Sequence, residues 1–173
     1  GRLSRGLHHY RASRFPFKPG DMVLTTGMEH HSNDLPWRAH ANVLHTNVLP
    51  DGSLDMQDFR EKLEHFSGRI KLVAVTGASN VTGYMPPIYD IAELAHQHGA
   101  LVSIDCAQLL PHRKVDMLPP DSPRHLDFIQ FALHFLQVQE GSEFFLNGIF
   151  FNVCHIRYKS SGQDSSPGRF SGR

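Results

Sequence analysis

The chain has 173 residues, 40% of them hydrophobic and 20% charged, which is enough for one domain with a core and short for two. Its 17 basic and 17 acidic residues cancel, and this balance argues against a partner such as nucleic acid or an anionic membrane. Two cysteines cannot form a disulfide framework, and no apolar run approaches the roughly 20 residues that span a bilayer, so we expect a soluble protein of a reducing compartment.

Strand and helix patterns alternate along the middle of the chain. They predict, in order, a strand at 21–26, a helix at 31–40, a strand at 42–50, a helix at 55–66, a strand at 70–77, a helix at 86–99 and strands at 100–105 and 126–131. Strands separated by helices indicate βαβ units. The predicted fold class is therefore α/β, with a mostly parallel, doubly wound sheet and helices on both faces.

The helix ends carry recognisable capping residues. Ser32, Asn33 and Asp34 are candidate N-caps of the helix at 31–40, and Pro36 is tolerable in its first turn. Gly99 can terminate the helix at 86–99.

Composition divides the chain into three parts. Residues 1–19 are rich in arginine and lack acidic residues; we interpret them as the interior of a longer protein, poorly ordered here, rather than as an organelle transit peptide. Residues 20–131 form the predicted domain. Residues 132–173 have no clean hydrophobic period, and the Ser, Gly and Arg-rich last 15 or so are predicted to be disordered.

Polar segments follow four of the predicted strands. In open α/β sheets ligands bind beyond the carboxyl ends of the strands, which selects as binding candidates His30, Asn80, Asp105, Gln108 and His134. Each also has a structural interpretation: His30 can be a surface residue, Asn80 can shape a turn, and Asp105 can be a helix N-cap with Gln108 completing a capping box.

Several motifs, in order, resemble the class V aminotransferases, which are pyridoxal-phosphate (PLP) enzymes of fold type I, and in particular their cysteine-desulfurase-like branch. The motifs are "GDMVLTTGMEHHSNDLPWR", "LVAVTGASNVTGYMPPIYDIAELAHQHGALVSIDCAQLLPH" and "DFIQF". The resemblance runs from about Gly20 to Phe131 and implies part of the large PLP-binding domain.

The resemblance also implies roles for the candidates. The histidine matching His30 stacks on the cofactor ring, the residues matching Asn80 and Gln108 bond its phenolic oxygen, and the aspartate matching Asp105 pairs with its pyridine nitrogen. His134 falls on the histidine of the family's Ser-x-His-Lys motif. A carboxylate beside the ring nitrogen keeps that nitrogen protonated, and a pyridinium withdraws electrons from the reacting carbon.

Two features of the family pattern are missing. The lysine that binds PLP covalently falls on Phe135, and phenylalanine has no amine. Residues 1–19 offer no Gly/Thr loop that could open a phosphate-binding helix. No catalytic residue is therefore intact, and PLP binding is expected to be weak or absent.

Other reactive residues give no further site. His96 and His98 lie two residues apart on a predicted helix and so point in different directions, which argues against a shared metal. Cys106 and Cys154 do not match the family's persulfide-forming position.

Two functional hypotheses remain. The first is an inactive fragment of a PLP enzyme whose intact parent acts on an amino acid as a homodimer, in the cytoplasm or in mitochondria. The second is a noncatalytic binding module that reuses the fold.

Overall fold

The computed structural model describes residues 15–130 and, as backbone only, residues 155–156. The strands are β1 (Met22–Thr26), β2 (Asn42–Thr46), β3 (Ile70–Thr76), β4 (Leu101–Asp105), β5 (Phe128–Gln130) and β6 (His155–Ile156). The helices are α1 (His31–Arg38), α2 (Met56–His65) and α3 (Ile88–Gln97).

The strands form one sheet in the order β2-β1-β3-β4-β5-β6. The first five run parallel, and β6 pairs antiparallel with β5. Thr76 lies opposite Asp105 in the β3–β4 register, so the carboxyl ends of these two strands meet at one edge. The predicted α/β class and the mostly parallel sheet are confirmed.

Helices cover both faces of the sheet. On one face α2 and α3 pack on β1, β3 and β4 in a core that includes Leu24, Phe59, Leu63, Val73, Val75, Ile91, Ala95 and Val102. On the other face Trp37 of α1 packs against Val23, Leu72 and Ala74. The side chains of β1 and β3 alternate between the two faces, as a strand buried on both sides requires.

The start of α1 differs from the sequence prediction. Its N-cap is His30, with extended backbone, and not Ser32, Asn33 or Asp34. The imidazole Nδ1 of His30 accepts a hydrogen bond from Ser32 N at 3.2 Å and so satisfies one of the free amides of the first turn. Pro36 lies inside the helix.

Two strands, β2 and β5, are shorter than predicted by at least two residues, because their flanking backbone makes other hydrogen bonds. β2 ends at Thr46: Asn47 N donates to Asp58 Oδ2 at 2.7 Å, and Val48 forms an isolated bridge with Leu54. β5 begins at Phe128, since Leu126 N bonds Met117 O at 2.9 Å.

Some predictions cannot be compared with the structure. Those for the arginine-rich start of the chain, for His134 and Phe135 and for the tail fall on residues outside the described ranges. In the described ranges, no helix has the length and apolar character that crossing a membrane requires.

Candidate functional site

Three acidic and basic side chains come together where β1, β3 and β4 end. Glu29 and His30 lie in the turn between β1 and α1, and Asp105 is the last residue of β4. Asp105 interacts electrostatically with both of them. We call Glu29, His30 and Asp105 the carboxyl-edge cluster; it joins two of the residues that the sequence selected and one that it did not.

Asp105 is a buried carboxylate, with 7% of the residue exposed. Its Oδ1 accepts a hydrogen bond from Ala107 N at 3.0 Å. Burial raises the pKa of Asp105 above its ordinary value, and the Ala107 hydrogen bond and the nearby His30 only partly oppose that rise. A cationic or proton-donating partner would therefore be favoured beside this carboxylate.

The alternative role of Asp105 as a helix N-cap is wrong. The carboxylate accepts from Ala107 N, as an N-cap side chain would, but residues 107–112 form a turn, so there is no helix for it to cap. Leu109 N and Leu110 N both donate to Cys106 O, so hydrogen bonds within the turn hold its shape. The geometry holds Gln108 half-buried directly beyond the end of β4.

Asn80 lies in the turn that follows β3, and it is exposed. Ser79 organises this turn: its Oγ accepts hydrogen bonds from Val81 N at 3.3 Å and Thr82 N at 3.2 Å. Gly83 completes the turn with a φ of +73°, a conformation that favours glycine. Asn80 and Gln108 thus follow neighbouring strands at the edge that carries Asp105.

Glu29 is the residue that sequence reasoning missed. Its carboxylate accepts hydrogen bonds from Thr26 Oγ1 at 2.6 Å, Asn33 Nδ2 at 2.7 Å and Thr76 N at 2.9 Å. These partners belong to β1, α1 and β3, so one side chain links three elements. Glu29 directly precedes His30 in the first quoted motif, but only His30 was selected as a binding candidate.

The pKa of Glu29 is raised from 4.5 to about 7. Burial is the main cause, and the negative charge of Asp105 adds to it, while the three hydrogen bonds lower the pKa and offset part of the rise. Glu29 therefore changes its charge near neutral pH, next to the backbone that carries His30.

Cys106, next to Asp105, is fully buried. Burial raises the pKa of its thiol, so the reactive thiolate is disfavoured.

Gly77 positions the turn that carries Gln108. Its amide bonds Asp105 O at 2.8 Å, and a Cβ at this position would lie 2.7 Å from Leu109 Cδ2 and 3.2 Å from Leu109 Cβ. Only glycine therefore lets the turn after β4 pack this closely on the end of β3.

Gly77→Ala should lower the free energy of unfolding by about 1–3 kcal/mol, because the added methyl overpacks against Leu109. Gly27→Ala is the matched control, since its Cβ would meet Val48 Cγ2 at 3.3 Å and the half-exposed Val48 has room to shift. Urea denaturation of both variants measures the effect. Equal losses would contradict the role given to Gly77.

Comparisons with known proteins agree with the resemblance that the sequence motifs show. The family model "Aminotransferase class-V" matches residues 7–136. A cysteine desulfurase of Dickeya dadantii is 41% identical over 133 residues, and a probable cysteine desulfurase of Halalkalibacterium halodurans is 38% identical over 120 residues. The aligned regions cover 74% and 66% of this chain but only 31% and 28% of those relatives.

A solved structure matches as well. The crystal structure of a cysteine desulfurase of Escherichia coli superposes with a TM-score of 0.66 at 26% identity and covers 76% of this chain and 33% of that one. The chain thus spans about a third of the length of such proteins. On the family match over residues 7–136, it belongs to the aminotransferase class V family.

Proposed function

We propose that this chain is a section of the large domain of a PLP-dependent enzyme that acts on an amino acid, with cysteine desulfurases as the best guide to its chemistry. The single observation that carries the proposal is the buried Asp105, with its raised pKa, beside His30 at the carboxyl end of β4. In a parallel α/β sheet this edge is where ligands bind.

The residues at this edge fit the cofactor that the family uses. A buried carboxylate favours a proton-donating partner, and the pyridine nitrogen of PLP is one once it is protonated. Asp105 would accept that hydrogen bond and hold the proton on the nitrogen. His30, exposed at the same edge, would lie against the ring, and Asn80 and Gln108 would bond its phenolic oxygen.

The cofactor, when bound, supplies an electron sink for charge that develops at the α carbon of an amino acid. In the intact parent, this section would orient the ring and hold the proton on its nitrogen. The chain by itself is proposed to bind PLP weakly or not at all. The proposed domain, residues 20–131, contains four of the five candidate binding residues. His134, the fifth, lies outside it.

The chain by itself is proposed to be inactive. By the resemblance Phe135 falls on the family's lysine, and a phenylalanine has no amine with which to bind the cofactor or move a proton. The intact parent is proposed to be a homodimer without nucleic-acid or membrane partners, in the cytoplasm or alternatively in mitochondria.

Incubation of the purified chain with PLP and borohydride should give no adduct near residue 135. Nonspecific labelling should fall on Lys114 more than on Lys62, because Lys114 is exposed whereas Lys62 Nζ bonds both oxygens of Asp58 and His45 O. Peptide mapping by mass spectrometry measures this. Phe135→Lys alone should not restore turnover, since the phosphate-binding loop is not found in residues 1–19.

Phe135 also supports the second candidate function, a noncatalytic module that reuses the sheet. The two differ in what the gene encodes: a Ser-x-His-Lys continuation in the genomic DNA after the codon for Phe131 favours the enzyme section, and its absence favours the module. Turnover of an amino acid by the unmodified chain would overturn the proposed inactivity.

A further inference from the structure

Glu29 connects the other two members of the carboxyl-edge cluster, His30 and Asp105. It directly precedes His30 in the chain, and its Oε1 accepts a hydrogen bond from Thr76 N at 2.9 Å. Thr76 in turn lies opposite Asp105 in the β3–β4 register. One side chain therefore joins the residue next to the imidazole to the pair of strands that carries the buried carboxylate.

Hydrogen bonds tie the turn at 27–30 to both neighbours of β1. Gly27 N donates to Thr46 O at 2.9 Å, which holds the start of the turn to β2. Within residues 15–130, the bond from Thr76 N to Glu29 is the only hydrogen bond between this turn and β3. Glu29 is therefore the link that fixes the turn, and His30 at its end, relative to the strand beside Asp105.

The carboxylate of Glu29 is held in one orientation by its other partners. Thr26 Oγ1 accepts a hydrogen bond from Met28 N at 3.3 Å and donates one to Glu29 Oε1 at 2.6 Å. Asn33 Nδ2 donates to Glu29 Oε2 at 2.7 Å. Each oxygen therefore has its own donors, and the side chain cannot turn away from β3 without losing them.

The geometry points to Glu29 as a positioning residue that sets the separation between His30 and Asp105. This inference rests on the proposed function, in which His30 lies against the PLP ring and Asp105 meets the ring nitrogen, so that their separation decides how the ring fits. Glu29 acts through His30 and does not need to touch the cofactor. The property that the site requires of Glu29 is the reach of its hydrogen bonds and not its negative charge.

Glu29→Gln keeps the length of the side chain and removes its charge. The amide oxygen of glutamine can accept from Thr26 Oγ1 and Thr76 N as Oε1 of the glutamate does. Its amide nitrogen then faces Asn33, whose buried Oδ1 has no hydrogen-bond partner among the described residues. A half-turn of the Asn33 amide brings that oxygen to the new donor, so all the contacts of the turn can be kept.

Glu29→Asp keeps the charge but shortens the side chain by one carbon–carbon bond, about 1.5 Å. The shorter carboxylate either loses the bond to Thr76 N or draws the turn toward β3. Both outcomes change the separation between His30 and Asp105. A positioning role therefore predicts that glutamine conserves this separation and aspartate does not, whereas a role for the charge predicts the reverse.

NMR spectra of the full chain without PLP, at a fixed pH of about 8.5 where Glu29 stays ionised, test the proposal. The imidazole signals of His30 should shift on Asp105→Asn, because His30 lies within the electrostatic reach of that carboxylate. The same shift should be retained when Glu29→Gln is also present. It should fall at least about twofold when Glu29→Asp is present, since coupling between two residues is lost as they move apart.

Glu64→Asp, the same substitution at an exposed position of α2, is the matched control and should leave the shift unchanged. A melting curve shows whether each variant is folded. If Glu29→Asp does not fold, Glu29→Met takes its place, because it keeps the length but cannot accept the hydrogen bonds, and the shift should fall there too.

The proposal is overturned if the shift survives in Glu29→Asp or in Glu29→Met, if Glu29→Gln loses it, or if the unaltered chain shows none. These measurements use no PLP. Failure of PLP to bind in a separate titration would therefore count against the proposed function and not against the positioning role of Glu29.

Discussion

Phe59→Ala is expected to cost about 3–5 kcal/mol of unfolding free energy, the largest loss among the substitutions considered. Phe59 is fully buried and projects from α2 into the core shared with α3 and the sheet. The loss combines the transfer free energy of the ring with the cavity left behind. Since domains of this size have unfolding free energies of only about 5–15 kcal/mol, the substitution should remove a large part of the stability.

Arg60→Ala is the control for Phe59→Ala. Arg60 is the next residue of the same helix but is exposed, and alanine is the better helix former, so stability should change by less than about 0.5 kcal/mol. Urea denaturation followed by far-ultraviolet circular dichroism measures both. A loss below about 1 kcal/mol for Phe59→Ala would show that α2 does not pack on the sheet as described.

Glu29 should make the protein less stable as the pH rises through neutrality. Its pKa is 4.5 ordinarily and about 7 in the folded chain. Between these values the folded state binds more protons than the unfolded state, so the unfolding free energy falls with rising pH. The stabilising contribution is complete below pH 4.5 and lost above pH 7, and a shift of this size corresponds to about 3 kcal/mol.

Glu29→Gln removes the titrating group and should remove this pH dependence. The difference in unfolding free energy between the variant and the unaltered chain, measured by urea denaturation from pH 5 to pH 8, should therefore change by up to about 3 kcal/mol in favour of the variant. Glu64→Gln, at an exposed position on α2, should show no such change. A difference that is constant with pH would contradict the raised pKa.

The aspartates act in the opposite direction and at lower pH. Burial raises the pKa of Asp34 and of Asp58, but hydrogen bonds from Arg38 and His45 in the first case and from Lys62 and Asn47 in the second lower each below 3.8 overall. Their stabilising contributions are present above pH 3.8 and lost as the pH falls below it. The effect of Glu29 on stability therefore falls in a higher pH range than the effect of the two aspartates.

The sequence predicted the sheet well because its strands are short apolar runs that only a doubly covered sheet can bury. The run at 70–77 became β3, and the spacing of Phe59 and Leu63 placed α2 correctly. Predictions failed where a side chain competed for backbone groups. His30 caps α1, and Asp58 accepts a hydrogen bond from Asn47 N where β2 ends. Neither contact produces a periodic pattern in the sequence.

Only part of the candidate site could be predicted from the sequence. Strand order brings His30 and Asp105 to one edge, and the rule for parallel sheets identifies that edge. The place of Glu29 in this site depends on a contact between distant segments, the hydrogen bond that it accepts from Thr76 N. Spacing along the chain carries no signal for such contacts.

The strand order has a consequence for how the chain folds during synthesis. β2 pairs with one side of β1 and β3 with the other. β4 then pairs with the free edge of β3, and β5 with the free edge of β4. Among the strands that the structure describes, none has to insert between two that are already paired. A nascent chain can therefore build the sheet in the order in which it leaves the ribosome, and Asp105 can reach its place before β5 has been translated.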